Sequence, residues 1–288
     1  MAIKLDEYAN KYKHAMLERR DGILQVTLHT NGKELEWGGG PHEELSYLFA
    51  DIARDFENKV VILMGTGESF CANPPLTGSA NLKSSAWDRV YNEGKHLLMN
   101  HLNIEVPMIA AVNGPAHRHA ELAVLCDIVL AADHTTFQDS AHFSNGTVPG
   151  DGVHIVWPLV LGINRGRYFL LTGQKISAQE ALTLGVVNEV LPPDRVLPRA
   201  WELAEQIAKR PTLAIRYARV AMTQTLKRMM LDDLGYGLAL EGLGAGEHVP
   251  RASALGRYVA AVSKEAKASR RVYPIARELA IGVSVPSA

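Results

Sequence analysis

Three short apolar runs limit the architectures open to this chain. Residues 59–64 (KVVILM), 108–112 (MIAAV) and 127–132 (DIVLAA) are too short for ordinary buried helices and show no polar alternation. They read as strands buried on both faces, the hallmark of a sheet covered by helices. Residues 23–30 (ILQVTLHT) are β-rich with polar interruptions. Helical patterns fill the gaps, at residues 41–57, 87–103 and around 120–125. Strands alternating with helices predict an α/β fold.

After residue 192 the character changes. Residues 194–267 are rich in Ala, Leu, Glu and Arg, with apolar residues at helical spacing. We therefore divide the chain into an α/β core (1–192), a helical C-terminal region (193–268) and a tail (269–288).

Global composition excludes several functions. The net charge is −1, so no overall field attracts nucleic acid or anionic membrane. Lys209, Arg210, Lys227, Arg228, Arg270 and Arg271 read as solvated helix faces, not a nucleic-acid patch. No apolar run approaches the roughly 20 residues that span a bilayer. The polar N-terminus is no secretory signal, and Cys71 and Cys126 lie in apolar stretches, so we expect a cytoplasmic protein without disulfides. Neither a zinc-type Cys/His spacing nor a P-loop or dinucleotide fingerprint occurs, so no metal and no cofactor is expected.

The stretch 105–133 (EVPMIAAVNGPAHRHAELAVLCDIVLAAD) resembles the crotonase (enoyl-CoA hydratase/isomerase) superfamily. Residues 67–76 (GESFCANPPL), 137–152, 157–162, 166–173 and 178–190 (AQEALTLGVVNEV) follow the same order of motifs. The resemblance covers about residues 20–265 and implies a spiral of ββα units followed by a helical region that assembles trimers or dimers of trimers.

The departures from the family pattern are more informative than the matches. Family members hold an enolate oxygen with two backbone N–H groups. One should come from position 74, but Pro74 has no N–H. The other belongs to a triple-glycine turn, replaced here by His117–Arg118–His119 in a loop one residue shorter. Losing one such donor typically costs about 10²–10³ in rate. The position seven residues before Pro149, a second catalytic glutamate in hydratases, is His142, and the variable residue of the Pro-Gly-x-Gly turn is Asp151. A His–carboxylate pair is a standard general base with its orienting partner. His119 can supply a replacement donor, with His117 as the rival for that role; a helix starting near Ala120 favours His119, because its N-terminus also favours an anion close to it.

The motifs GPxxxHxE, FQDxxHF, VPGDGxHxVWP and NRGRYFLLTG resemble the family's β-diketone hydrolase branch. That likeness implies catalytic roles for His119, His142, Asp151 and Glu241, and places Trp37 beside the substrate. Glu241 and Trp37 rest wholly on the resemblance. Glu121, a catalytic glutamate in hydratases, is expected to act behind the site. The implied reaction is cofactor-independent hydrolysis of the C–C bond between the carbonyls of a cyclic 1,3-diketone. The rivals are an acyl-CoA hydratase/isomerase and a non-catalytic scaffold.

Overall fold

The computed structural model describes residues 2–73 and 84–244, the side chains of 84–86 excepted. Pro74, Pro75 and everything after Gly244, including the tail, fall outside the described residues.

A one-turn helix, α1 (Leu5–Tyr8), precedes a six-stranded sheet formed by β1 (Ala15–Arg20), β2 (Ile23–Leu28), β3 (Val60–Gly65), β4 (Met108–Val112), β5 (Ile128–Ala132) and, last in the chain, β8 (Glu189–Leu191). The spatial order is β1-β2-β3-β4-β5-β8; β1 and β2 pair antiparallel and the rest parallel. The central strands are apolar throughout because both faces are covered. Alternate residues Val61, Leu63, Met108, Ala110 and Val112 join one core with helices α2 (Gly39–Arg54) and α3 (Ser84–Asn103). Val60, Ile62, Ile109, Ala111, Leu130 and Ala132 form a second core against Val196, Ala200 and Ala204 of α8 (Pro193–Ala208).

Bridges Glu36↔Asn73, Cys71↔Ala116 and Ala116↔Phe137 stack into a second narrow layer. It continues into the short antiparallel pair β6 (Thr136–Phe137) and β7 (Ile176–Ser177). This is the spiral expected of the crotonase fold: each turn supplies a sheet strand, a short second-layer segment and a helix. The remaining helices are α4 (Glu121–Val124), α5 (Val153–Leu161), α6 (Ile163–Thr172), α7 (Ala178–Thr183) and α9 (Thr212–Gly244). The sequence reading missed β1, and where it expects several C-terminal helices the described residues after Pro192 form two, α8 and the very long α9. Among the described residues no helix is long and apolar enough to cross a membrane. Cys71 and Cys126 are buried free thiols, and burial pushes both pKa values up.

One backbone crossing carries α9 to the functional end of the spiral. A Cβ on Gly150 would lie 2.2 Å from the Gly237 carbonyl oxygen, and one on Gly237 would lie 2.4 Å from the Gly150 oxygen. Only two glycines permit this approach, which sets the turn holding Asp151 directly on the helix holding Glu241. Gly150→Ala and Gly237→Ala should each destabilise the protein by about 1–3 kcal/mol through overpacking. Gly39→Ala, where a Cβ meets nothing within 4 Å, should stay within about 0.5 kcal/mol of the parent. Urea denaturation of the three variants checks this.

Candidate active site

Each part of the site begins with a local backbone device. The Asp139 carboxylate accepts from the Ala141 N–H at 3.2 Å, closing a tight turn. The same Oδ1 accepts from His142 Nδ1 at 2.8 Å. A 3-10 turn over Phe143–Asn145 follows, closed by Gly146 in the left-handed region. Asp151 comes next, in the Gly-Asp-Gly turn that opens α5, where Gly152 has φ +103°. The replacement for the triple glycine forms a turn whose His117 and Arg118 N–H groups both donate to the Cys71 carbonyl, at 2.8 and 2.9 Å. His119 then takes φ +45°, a left-handed conformation costly for a side-chain-bearing residue.

The result is a buried cluster. His142 Nε2 lies 3.2 Å from Asp151 Oδ2 and 3.6 Å from Glu241 Oε1. The same Asp151 oxygen is 3.5 Å from His119 Nε2. On its other side, His119 Nδ1 is hydrogen-bonded to Glu121 Oε1 at 2.5 Å. The Trp37 ring covers His119 at a centroid distance of 4.1 Å and a tilt of 34°. Five of the residues singled out from the sequence therefore meet: Trp37, His119, His142, Asp151 and Glu241.

Three expectations need correction. Asp151 does not orient the His142 ring from behind; Asp139 does, on Nδ1, while Asp151 faces Nε2 and bridges to His119. His117 is outside the cluster, its Nε2 on Thr136 Oγ1 at 2.7 Å. The helix beginning near Ala120 is a single turn, α4, too short to supply a useful dipole.

Two residues escaped the sequence reading. Asp139 stands three residues before His142, a spacing already visible in FQDSAHF. His42, on α2, has its ring 5.6 Å from His119 and 6.1 Å from Trp37, and its Nδ1 is 3.2 Å from Glu93 Oε2. Glu93 is in turn paired with Arg89 at 2.6 Å. In the sequence His42 looks like one more polar residue on an amphipathic helix.

The electrostatics divide the roles. Burial alone would push the His142 pKa down, but Asp151, Asp139 and Glu241 outweigh it and hold the imidazole well above its ordinary value. His119 is raised in the same way, burial being overcome by Glu121 and Asp151. Burial would raise Asp151, but His142 and His119 keep it well below the usual carboxylate range. Glu121 and Glu241 are raised, burial outweighing their histidine partners. His117 is pushed down to about 4 by burial, helped by Lys175 and Arg118, and is neutral at pH 7. The cluster thus holds charged imidazoles beside an ionised carboxylate, with Glu241 inclined to accept a proton. A surface cavity of about 470 Å³ lined by Ala2, Phe56, Asn103 and Arg216, among others, shares no residue with it and offers no comparable chemistry.

The sequence matches the enoyl-CoA hydratase/isomerase family over residues 18–235. The chain belongs to that family. Among its relatives, the short-chain-enoyl-CoA hydratase of Clostridium acetobutylicum is 28% identical over 236 residues, covering 81% of this chain and 88% of that one. The carnitinyl-CoA dehydratase of Salmonella arizonae is 33% identical over 223 residues, covering 76% and 83%. Among solved structures, a β-diketone hydrolase from the cyanobacterium Anabaena, bound to (S)-3-oxocyclohexyl acetic acid, is 50% identical. It superposes with a TM-score of 0.80, covering 83% of this chain and 96% of that one. An enoyl-CoA hydratase/isomerase from Mycobacterium paratuberculosis, 24% identical with a TM-score of 0.76, shares the fold.

Asp139 is a positioning residue for His142, and its charge helps keep that ring protonated. Asp139→Asn should lower the His142 titration midpoint, read from its ring resonances by NMR, without unfolding the protein. An unchanged midpoint would remove Asp139 from the electrostatics of the site.

Proposed function

We propose that this member of the family is a cofactor-independent hydrolase that cleaves the C–C bond between the carbonyls of a cyclic 1,3-diketone, giving a keto acid. The observation that carries the reading is the buried pair of imidazoles sharing Asp151, with Glu241 alongside. The ligand of the Anabaena hydrolase supports it. Rejoining that acid's carboxyl carbon to the far carbon α to its ring ketone gives a bicyclic 1,3-diketone.

The steps follow from the geometry. The base is the neutral form of His142, whose Nε2 lies 3.6 Å from Glu241 Oε1. The neutral ring, held through Nδ1 by Asp139, takes a proton from water. The oxygen attacks one carbonyl carbon. The tetrahedral intermediate collapses, and the electron pair of the breaking C–C bond becomes the enolate of the second ketone. His119, charged and backed by Glu121 and the Trp37 face, donates to that enolate oxygen. The proton that His142 took from water passes to the enolate carbon, which completes the keto acid and restores the neutral base.

Retention of Glu121 favours an acyl-CoA hydratase as the second reading. Against it, Glu121 is engaged by His119, and the His117 and Arg118 N–H groups that would bind a thioester enolate are both committed to Cys71. Assembly of several chains would use α9, where Leu231, Tyr236 and Leu243 are exposed.

Incubation with a bicyclic or monocyclic 1,3-diketone should convert its enol absorbance into a carboxylic acid, and crotonyl-CoA should not be hydrated. Hydratase turnover at about 1–10³ s⁻¹ would sink the proposal. His142→Ala should lower kcat by about 10²–10⁴, whereas His119→Ala should lower kcat and kcat/KM together with little change in KM. The pH profile has a definite sign. The active base is neutral His142, so activity persists above its folded pKa and is lost as pH falls through it. Because that value is raised, the acid limb of kcat/KM should lie above about 6.5, the ordinary histidine value. A limb below that value would mean that His142 is not the base.

A further inference from the structure

His142, Asp151 and Glu241 have the arrangement of a three-ligand cation site. Their nearest ligand atoms all lie within 4.8 Å of one another. With bonds of about 2.0–2.2 Å, the ligand atoms of tetrahedral zinc stand about 3.3–3.6 Å apart. Here His142 Nε2 is 3.2 Å from Asp151 Oδ2 and 3.6 Å from Glu241 Oε1. A cation equidistant from the three would need only small side-chain shifts and would keep its fourth position open.

Two independent observations point the same way. Metal-bound histidines usually donate their other ring N–H to a carboxylate, which fixes tautomer and orientation; Asp139 does this for His142 at 2.8 Å. Further, Asp151 Oδ1 and Glu241 Oε2 are buried with no hydrogen-bond partner among the described residues. Asp151 is 7% exposed and Glu241 8%, so neither carboxylate is satisfied by bulk solvent. Unpaired buried carboxylate oxygens are costly, and a divalent cation bound at the other oxygen of each carboxylate lowers that cost by offsetting its charge.

The neighbouring set His119, Glu121 and Asp151 is the poorer candidate. His119 points Nδ1 at Glu121 and Nε2 at Asp151, so opposite edges of one ring face the two carboxylates. A single cation cannot take both short contacts. Since the two sets share Asp151, the chain offers one good site.

We propose that the His142–Asp151–Glu241 triad binds a zinc-class divalent cation, and that the bound cation inhibits the enzyme reversibly. The cation competes with the proton for His142 Nε2, which removes the lone pair that would deprotonate water. It also occupies the space between the rings where a carbonyl must enter. The binding stands on geometry alone; the inhibition rests on the proposed function.

The test begins with calorimetric titration of ZnCl₂ into the full-length protein, stripped with EDTA and dialysed. One zinc ion per chain is expected. Affinity should fall at least about tenfold in Glu241→Gln and about 10–100-fold in Asp139→Asn, and stay unchanged in His134→Ala, whose ring lies outside the cluster. If circular dichroism shows Glu241→Gln to be unfolded, His142→Gln takes its place. Absence of saturable binding, or binding unaltered in both site variants, overturns the site. In the activity arm, zinc should abolish diketone hydrolysis and EDTA should restore it. Zinc that raises turnover overturns the inhibition. If no diketone is hydrolysed with or without zinc, the hydrolase reading fails while the titration still decides the site.

Discussion

A single carboxylate, Asp151, holds the functional end of this molecule together. It is buried between two imidazoles, 3.2 Å from one and 3.5 Å from the other. Each ring would resist protonation in such a buried setting, and each is raised because neighbouring carboxylates more than offset the desolvation, Asp151 with Asp139 and Glu241 at His142, and Glu121 with Asp151 at His119. In return the two rings keep Asp151 ionised where burial would neutralise it. The three groups form one electrostatic unit, and removing any one leaves an uncompensated buried charge, a change that typically costs about 3–5 kcal/mol. Asp139, Glu121 and Glu93 fix the rings of His142, His119 and His42 from behind, so the geometry does not depend on the reacting groups alone.

The family's glycine turn illustrates how an old scaffold acquires a new site. In this chain the turn puts a residue with a full side chain, His119, in the left-handed conformation. The turn's first two N–H groups, those of His117 and Arg118, close onto the Cys71 carbonyl. Where the family's pattern has backbone donors, fixed in direction and neutral, this loop presents an imidazole whose charge can vary.

Much of this was legible in the sequence. Strands β3, β4 and β5 stood out because burial on both faces makes them uniformly apolar. Strand β1 did not, because Ala15–Arg20 is an edge strand with alternating exposure and three charged residues. His142 and Asp151 were legible as unusual residues at positions of known importance, but their mutual orientation was not. A sequence shows that a carboxylate is near a histidine, not which ring nitrogen it meets. Asp139 was hidden by its proximity, three residues away in a turn. His42 was hidden by its helix, since an amphipathic surface and a pocket wall share one polar pattern. Glu241 and Trp37 had no local signal, and only a long helix and a loop crossing brought them in.

The glycine-to-glycine contact between the turn before Asp151 and helix α9 has a consequence for biosynthesis. Trp37, His119, His142 and Asp151 leave the ribosome well before Glu241, and their turn has no seat until Gly237 arrives. Until then the growing chain carries buried-type carboxylates and imidazoles still open to water, with ordinary protonation behaviour. The chemistry of the pocket is switched on late, by the docking of the last of the described helices to be made. A chain released early would be a spiral without a working centre.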